Sequence, residues 1–485
     1  MVKKKRKEFL TAFSIIFILI FALGIVSHFL PKAEFVTNSE GALEIVNGSG
    51  VVGATLPDVL LSPILGFENA IDVCIFVLIL GGFLAIVART EALETGIKVL
   101  VKKLKGKELV LIPILMFIFS IGGTTYGMLE ETVGFYALLS ATMVMAGMDT
   151  LVASSIVLLG AGSGVLGSTV NPFAVGAAVS ALPEGVVVNQ GLIIGIGVVL
   201  WLTTLLISII FVMAYAKRVI KKKGSTFLSL RERRNMEEEY GAHANTELDN
   251  VRLSKKQKIT LWLFALTFVV MIVGFIPWES FGITVFTKFT GWLTGMPLGQ
   301  WYFYEAALWF LIMSVVIGLV NRTGEKKFVD TFIDGADDMV GVILIIAIAR
   351  GASVLMQSTY LDNYIIYNAA DMLKTVPIII FAPFNYVVHI LLSVLVPSSS
   401  GLATLSAPII GPIADQLGYS VEGTIMTLVA ANGLVNLITP TCGAIMGGLA
   451  LAKVEYATWF KFALKIVFTI AIVNIIILTT VMMFV

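Results

Sequence analysis

Glu130 and Glu131 stand side by side in GGTTYGMLEETVGFYALL, which starts at Gly122 in a chain that is otherwise apolar for long distances. A carboxylate at membrane depth must be protonated, paired or turned to water. The chemistry open to such an acid is to hold a cationic side chain or to carry a proton. Consecutive helical positions point about 100° apart, so one of the two acids is expected to face a ligand. The plainer alternative is an anchoring pair that bonds backbone or Arg350, the one Lys or Arg placed inside an expected span. Arg350 itself suits either a substrate carboxylate or a buried glutamate.

Polar tips surround these charges. Gly123, Thr124, Thr125 and Tyr126 form one, and Ser398, Ser399, Ser400 and Gly401 form another. Both offer hydroxyls and free N–H groups, and the helices that begin there present positive ends suited to a carboxylate. The interruptions Ser168-Thr169-Val170-Asn171-Pro172 and Thr439-Pro440-Thr441 add carbonyls, hydroxyls and the Asn171 amide, with Asn436 and Asn432 about one and two turns earlier. Ser168, Thr169, Asn171 and Asn436 are also the oxygens a sodium ion could use. Small residues can instead simply allow close helix packing, as at Gly160 and Gly164. Two such clusters in corresponding places favour a binding site. His389, eleven residues before Ser400, raises an intramembrane serine hydrolase, but spacing alone is weak support. Asp149 at a membrane edge and Asp72 in a helix read as structural.

These residues need elements to place them. Of 485 residues 58% are hydrophobic and 13% charged, with a mean hydropathy of +0.95, so the chain is read as an all-α polytopic membrane protein. Cys74 and Cys442 lie in apolar runs and the three histidines are scattered, which excludes a disulfide framework, a zinc cluster or an evident metal cofactor. No GxxxxGK[ST] loop is present, so energy must come from gradients or exchange.

A basic head, KKKRK from Lys3, precedes a retained first helix over 9–30, and residues 1–66 end in a polar outer segment. Asn47-Gly48-Ser49 is formally a glycosylation sequon and carries no weight here. Repeat 1 is set at 67–216. It holds a helix over 70–88, a lysine-rich interfacial stretch over 89–107, a hairpin over 108–146 and a broken helix over 150–181. The run 108–121 reaches only about 21 Å, short of a core of about 30 Å, so the hairpin is expected to be re-entrant. A basic linker over 217–258 reads as a solvated cytoplasmic loop, with a nucleic-acid role set aside. A span and outer loop fill 259–300. Repeat 2 covers 301–485, with a span over 337–356, an outer segment near Asp362 and Asp371, a hairpin over 377–416 and a broken helix over 421–452.

Segments assigned to the cytoplasm hold 29 of the 33 Lys and Arg residues, which places the N-terminus inside and the C-terminus outside. At an offset of 270, Leu158, Ala161, Val165, Thr169 and Ala174 meet Leu428, Ala431, Val435, Thr439 and Ala444. The expected topology inverts one repeat relative to the other, and interrupted helices in both halves point to a transporter's central site.

GGTTYGMLEETVGFY, LLGAG followed by TVNPF, IARG, VPSSSGLATLSAPIIGPIAD and NLITPT are similar to the motifs of the YfcC-like family. That family belongs to the four-carbon dicarboxylate carrier (DcuC-like) group of the ion transporter superfamily. The resemblance covers nearly the whole chain. It implies two inverted-topology repeats, two re-entrant hairpins, an elevator-type motion, a homodimer and a bacterial plasma-membrane location. Some members are basic amino-acid exchangers, including arginine/ornithine antiporters. One departure is Ala431-Asn432-Gly433, where the family pattern carries GDG and so an acid in place of the amide. The sequence therefore leads to a secondary transporter rather than an enzyme, exchanging a small carboxylate-bearing metabolite such as arginine or ornithine. A four-carbon dicarboxylate is the rival substrate.

Overall fold

The computed structural model describes residues 12–37, 43–46, 48–103, 107–183, 185–222, 224–241, 252–276, 278–374 and 376–484. The KKKRK head, Asn47 of the sequon, part of the linker and the side chain of Tyr126 lie outside the described residues. Among those described, eight helices are long and apolar enough to cross a membrane. Their outer faces carry Trp262, Ile210 and Phe468, exposed by 78%, 60% and 67%, as lipid-facing side chains should be.

The chain begins with α1 (Ala12–Val26) and a short β-hairpin, Phe35–Thr37 paired with Leu43–Ile45. The outer segment then differs from expectation. Its last third is a helix, α2 (Leu56–Asn69), started by a reciprocal Thr55/Asp58 capping box with Pro57 in the first turn. Next come α3 (Ile71–Arg89) and the amphipathic α4 (Ala92–Lys103).

The first hairpin also departs from its expected bounds. Its entering arm, α5, runs Leu111–Tyr126, about 24 Å, and does not stop at Ile121. Gly127 ends it with φ +81°, which favours glycine, and a Cβ there would stand 2.8 Å from Asn171 Nδ2. A 3₁₀ turn, Glu130–Gly134, leads into α6 (Phe135–Met145). The broken helix follows as α7 (Thr150–Leu166), a π turn at Pro172–Gly176 and α8 (Ala177–Ser180). Asp149 caps α7 through Val152 N and also accepts from Tyr215 and Thr226 at 2.6 Å each, so its reading as structural holds.

After α9 (Gln190–Lys221) the linker is not merely a solvated loop. Its helix α10 (Leu230–Tyr240) opens with a Ser229/Glu232 capping box. Glu232, 1% exposed, also accepts from Glu455 N and Thr458 Oγ1, and Tyr240 OH donates to Leu451 O. Polar composition concealed a docked strap.

The second half continues with α11 (Lys255–Phe275), α12 (Phe303–Val320) and the amphipathic α13 (Glu325–Asp337). Then come α14 (Val340–Ser358) and α15 (Leu361–Leu373), the latter expected as an irregular outer segment. The second hairpin is α16 (Ile378–Leu395) and α17 (Ser399–Gln416), and its turn is Val396–Ser398. The second broken helix is α18 (Val421–Val435) and α19 (Gly443–Leu451), and the described chain closes with α20 (Tyr456–Phe484).

Packing repeats itself across the halves. Helix α2 lies on α14, while α13 lies on α3. At these two crossings a Cβ on Gly66 would overlap Gly351, and a Cβ on Gly335 would overlap Gly81. Where α7 crosses α18, Gly162 receives Leu437 and Gly433 receives Leu166. Each pair is its counterpart's image at an offset of about 270. Gly160 and Gly164 press α7 against α5, so their packing role is real.

Candidate functional site

The two hairpin turns and both helix breaks converge on one cavity of about 560 Å³. The first hairpin brings Gly127, Leu129, Glu130 and Glu131, and the second brings Pro397 to Ser400. Asn171 enters from the first break, and Asn436, Thr441 and Cys442 from the second. Arg350 enters from α14.

The adjacent acids have divided roles. Glu131 is 2% exposed and its Oε2 accepts from Leu129 N at 3.0 Å, so it is spent holding the tip. Glu130 is half-buried and, among the described residues, no other residue's hydrogen bond holds its carboxylate. Arg350 is also half-buried and, among the described residues, has no carboxylate within 4.0 Å. It lies within electrostatic reach of Glu130 but is not paired to it. The anchoring Glu–Arg pair considered from the sequence is therefore absent from this cavity.

The second tip is a helix start. Ser398 caps α17, accepting from Gly401 N at 3.2 Å, and its hydroxyl stands 3.4 Å from that of Ser400. With the backbone N–H groups of the first turn, these hydroxyls can receive an anion.

Several residues expected at the ligand are instead used by the protein, because the tips must be tied to the breaks. Thr124 Oγ1 donates to Gly167 O at 2.8 Å, and Thr124 O accepts from both the N and Oγ1 of Thr169. Thr125 Oγ1 donates to Ile121 O of its own helix. Gly123 faces α7, where a Cβ would overlap Ala161 O. Asn432 accepts from Ser399 Oγ at 2.7 Å and from Asn436 Nδ2 at 3.0 Å, and it donates weakly to Pro397 O at 3.4 Å. The amide that departs from GDG is thus a clamp behind the second tip. Thr439 donates to Thr441, which in turn donates to Val394 O. Gly123, Thr124, Thr125, Gly401, Asn432 and Thr439 do not line the cavity.

Of the four oxygens considered for sodium, Ser168 donates to Val165 O and accepts from Asn171 Nδ2. Thr169 is bound to Thr124, while Asn171 and Asn436 line the cavity. Among the described residues no group of three His, Cys, Asp or Glu side chains could hold a metal ion. His389 Nε2 meets Ser406 Oγ at 2.6 Å, six residues beyond Ser400, and both are buried. The Ser400–His389 pairing is not formed.

Sequence reasoning missed part of the wall. Asp72, set aside as structural, lines the cavity beside Asn69 and Val73. Phe173 and Tyr302, with centroids 5.3 Å apart, and Phe303 line it too. Aromatic residues near span ends read as interface anchors, which hid them.

A protein of Haemophilus influenzae strain Rd, itself uncharacterized, is 29% identical over 85% of this chain and 75% of its own length. An Escherichia coli K12 protein named "Putative basic amino acid antiporter YfcC" is 26% identical over 81% of this chain and 74% of its own. Among solved structures, the Alcanivorax borkumensis YdaH transporter aligns over 97% of this chain and 96% of that one, at 15% identity and a TM-score of 0.44. Neisseria gonorrhoeae MtrF, described as one of a class of antimetabolite efflux pumps, aligns over 99% and 96%, at 16% identity and a TM-score of 0.47. The profile of the DcuC family, described as C4-dicarboxylate anaerobic carrier, matches residues 9–483, nearly the whole chain. With eight candidate spans and a polar cavity between its helix breaks, this integral membrane transporter belongs to the DcuC family.

Proposed function

We propose that the protein exchanges basic amino acids, arginine- and ornithine-like, by alternating access. The observation that carries this reading is the make-up of the cavity wall: Asp72 and Glu130 line it against Arg350, while Glu131 is already bonded to Leu129 N. A molecule with one carboxylate and one extra cation matches that surplus. Arg350 and the Ser398–Ser400 helix start take the carboxylate, and Glu130 takes the cationic side chain. The relative named as a basic amino acid antiporter agrees with this assignment.

The family description favours a second reading, a four-carbon dicarboxylate carrier. Its two negative charges would face up to three acids with one guanidinium to offset them, and Arg350 and the helix start would have to hold both ends.

The reciprocal glycine pairs support two inverted repeats: Gly66 with Gly351 against Gly335 with Gly81, and Gly162 with Leu437 against Gly433 with Leu166. The re-entrant hairpins then form the site with the two breaks, over repeats at 67–216 and 301–485. Elevator motion, a homodimer and a bacterial inner-membrane location with the N-terminus inside complete the proposal, carried by the family resemblance and the charge bias.

Counterflow tests it. Proteoliposomes loaded with ornithine should accumulate labelled arginine with no ion gradient, and unloaded ones should not. Arginine exclusion under conditions where internal succinate drives labelled fumarate entry would reassign the substrate to dicarboxylates.

A further inference from the structure

Asp72 is an acid in the first turn of α3, where a carboxylate ordinarily caps free N–H groups. It makes no such bond: the α3 start has no side-chain cap, and Asp72 has neither a hydrogen bond nor an ion pair among the described residues. It is half-buried and lines the cavity that holds Glu130 and Arg350. Half-burying an uncompensated carboxylate is costly unless something that visits the site offsets it.

A second, independent feature of the wall also points to a ligand. Asn436 lines the same cavity, is 4% exposed, and its Oδ1 has no hydrogen-bond partner. Such a buried acceptor is expensive to leave unmade. The cavity thus presents Asp72, Glu130 and Asn436 Oδ1 as acceptors without partners from other residues, beside the rings of Phe173 and Tyr302. Acceptors next to aromatic faces suit a flat, many-donor cation.

We propose that Asp72 is a specificity-determining residue that touches the cationic end of the substrate and selects α-amino acids with a guanidinium or ammonium side chain over neutral ones of the same shape. The inference rests on the basic amino-acid reading above. Asp72 and Glu130 hold the cation from separate elements, α3 and the Glu130–Gly134 turn that packs on it. The carboxylate end stays with Arg350 and Ser398–Ser400. Asp72 therefore affects recognition of the side chain and not of the amino-acid backbone.

The test is competition against labelled arginine uptake in ornithine-loaded proteoliposomes, with unlabelled arginine and citrulline, its uncharged near-isostere, as competitors. Asp72→Asn should raise the concentration of arginine needed for half inhibition about tenfold and leave that of citrulline within about twofold. Asp72→Glu should restore a preference for arginine. If the Asn variant does not reconstitute, Asp72→Ser carries the same test, with the loss again expected for arginine and not for citrulline. Equal weakening of both competitors, or no change in either ratio, overturns the proposal while the exchange reading stands. Wild-type liposomes that exclude arginine yet exchange succinate for fumarate overturn both.

Discussion

The two hairpin tips reach the same cavity by similar routes and present different chemistry there. The first ends α5 at a left-handed glycine, passes through a 3₁₀ turn and carries Glu130 and Glu131. The second begins α17 directly, with Ser398 as its cap and three successive hydroxyls. Each is tied to the break of its own half, the first by Thr124 and Thr169 and the second by Asn432, Asn436 and Ser399. These ties fix where the tips stand, and the residues the tips present to the cavity differ in charge. An acidic tip facing a helix N-terminus gives a bipolar cavity, suited to a ligand that is cationic at one end and anionic at the other.

Neutralising the acidic tip should break this division most severely. Glu130→Gln is expected to lower kcat/KM for arginine exchange by about a hundredfold, near the upper range for a hydrogen bond to a charged group. Initial rates of counterflow would measure it, and an unchanged rate would remove Glu130 from the site. The clamps come next. Thr124→Val and Asn432→Leu should each cost about 1–3 kcal/mol of stability, since both leave buried partners unmade. A fall in melting temperature in detergent checks this; stable variants with altered KM would mean these residues belong to the ligand after all. Ser398→Ala removes a helix cap worth about 1 kcal/mol, so melting and substrate affinity should fall together. Ser400→Ala should change affinity about threefold with no change in melting, because Ser400 lines the cavity and, among the described residues, its hydroxyl meets only that of Ser398. A melting shift equal to that of Ser398→Ala would blur the contrast between cap and ligand donor.

The long apolar helices, the polar turns at Gly127 and Ser398 and both breaks were legible in the sequence, since hydropathy and misplaced Gly, Ser and Pro are strong signals in a membrane chain. Helices α2, α10, α13 and α15 were not. Each is short and mixed in polarity, and the first two start at capping boxes, Thr55/Asp58 and Ser229/Glu232, inside stretches that read as loops. At the site, the charged residues Glu130 and Arg350 were found because charge at that depth needs a reason. Thr124, Asn432 and Thr439 were assigned to the ligand because a hydroxyl or amide looks the same whether its partner is substrate or protein. Only geometry separates them. Asp72 was lost the other way, since a first-turn acid has an ordinary use that this one does not take.

Among the described residues Glu130 and Arg350 make no ion pair in the cavity, and under the exchange proposed above that bareness has a kinetic consequence. Each uncompensated charge sealed from water costs several kcal/mol, and about 1.4 kcal/mol of barrier slows a step tenfold. A bound amphoteric ligand covers both charges, so its passage is spared this barrier. The vacant carrier meets the barrier in full and makes its return trip at least a hundredfold more slowly. On that proposal, strict one-for-one turnover needs no latch, because an empty carrier is stalled by its own electrostatics.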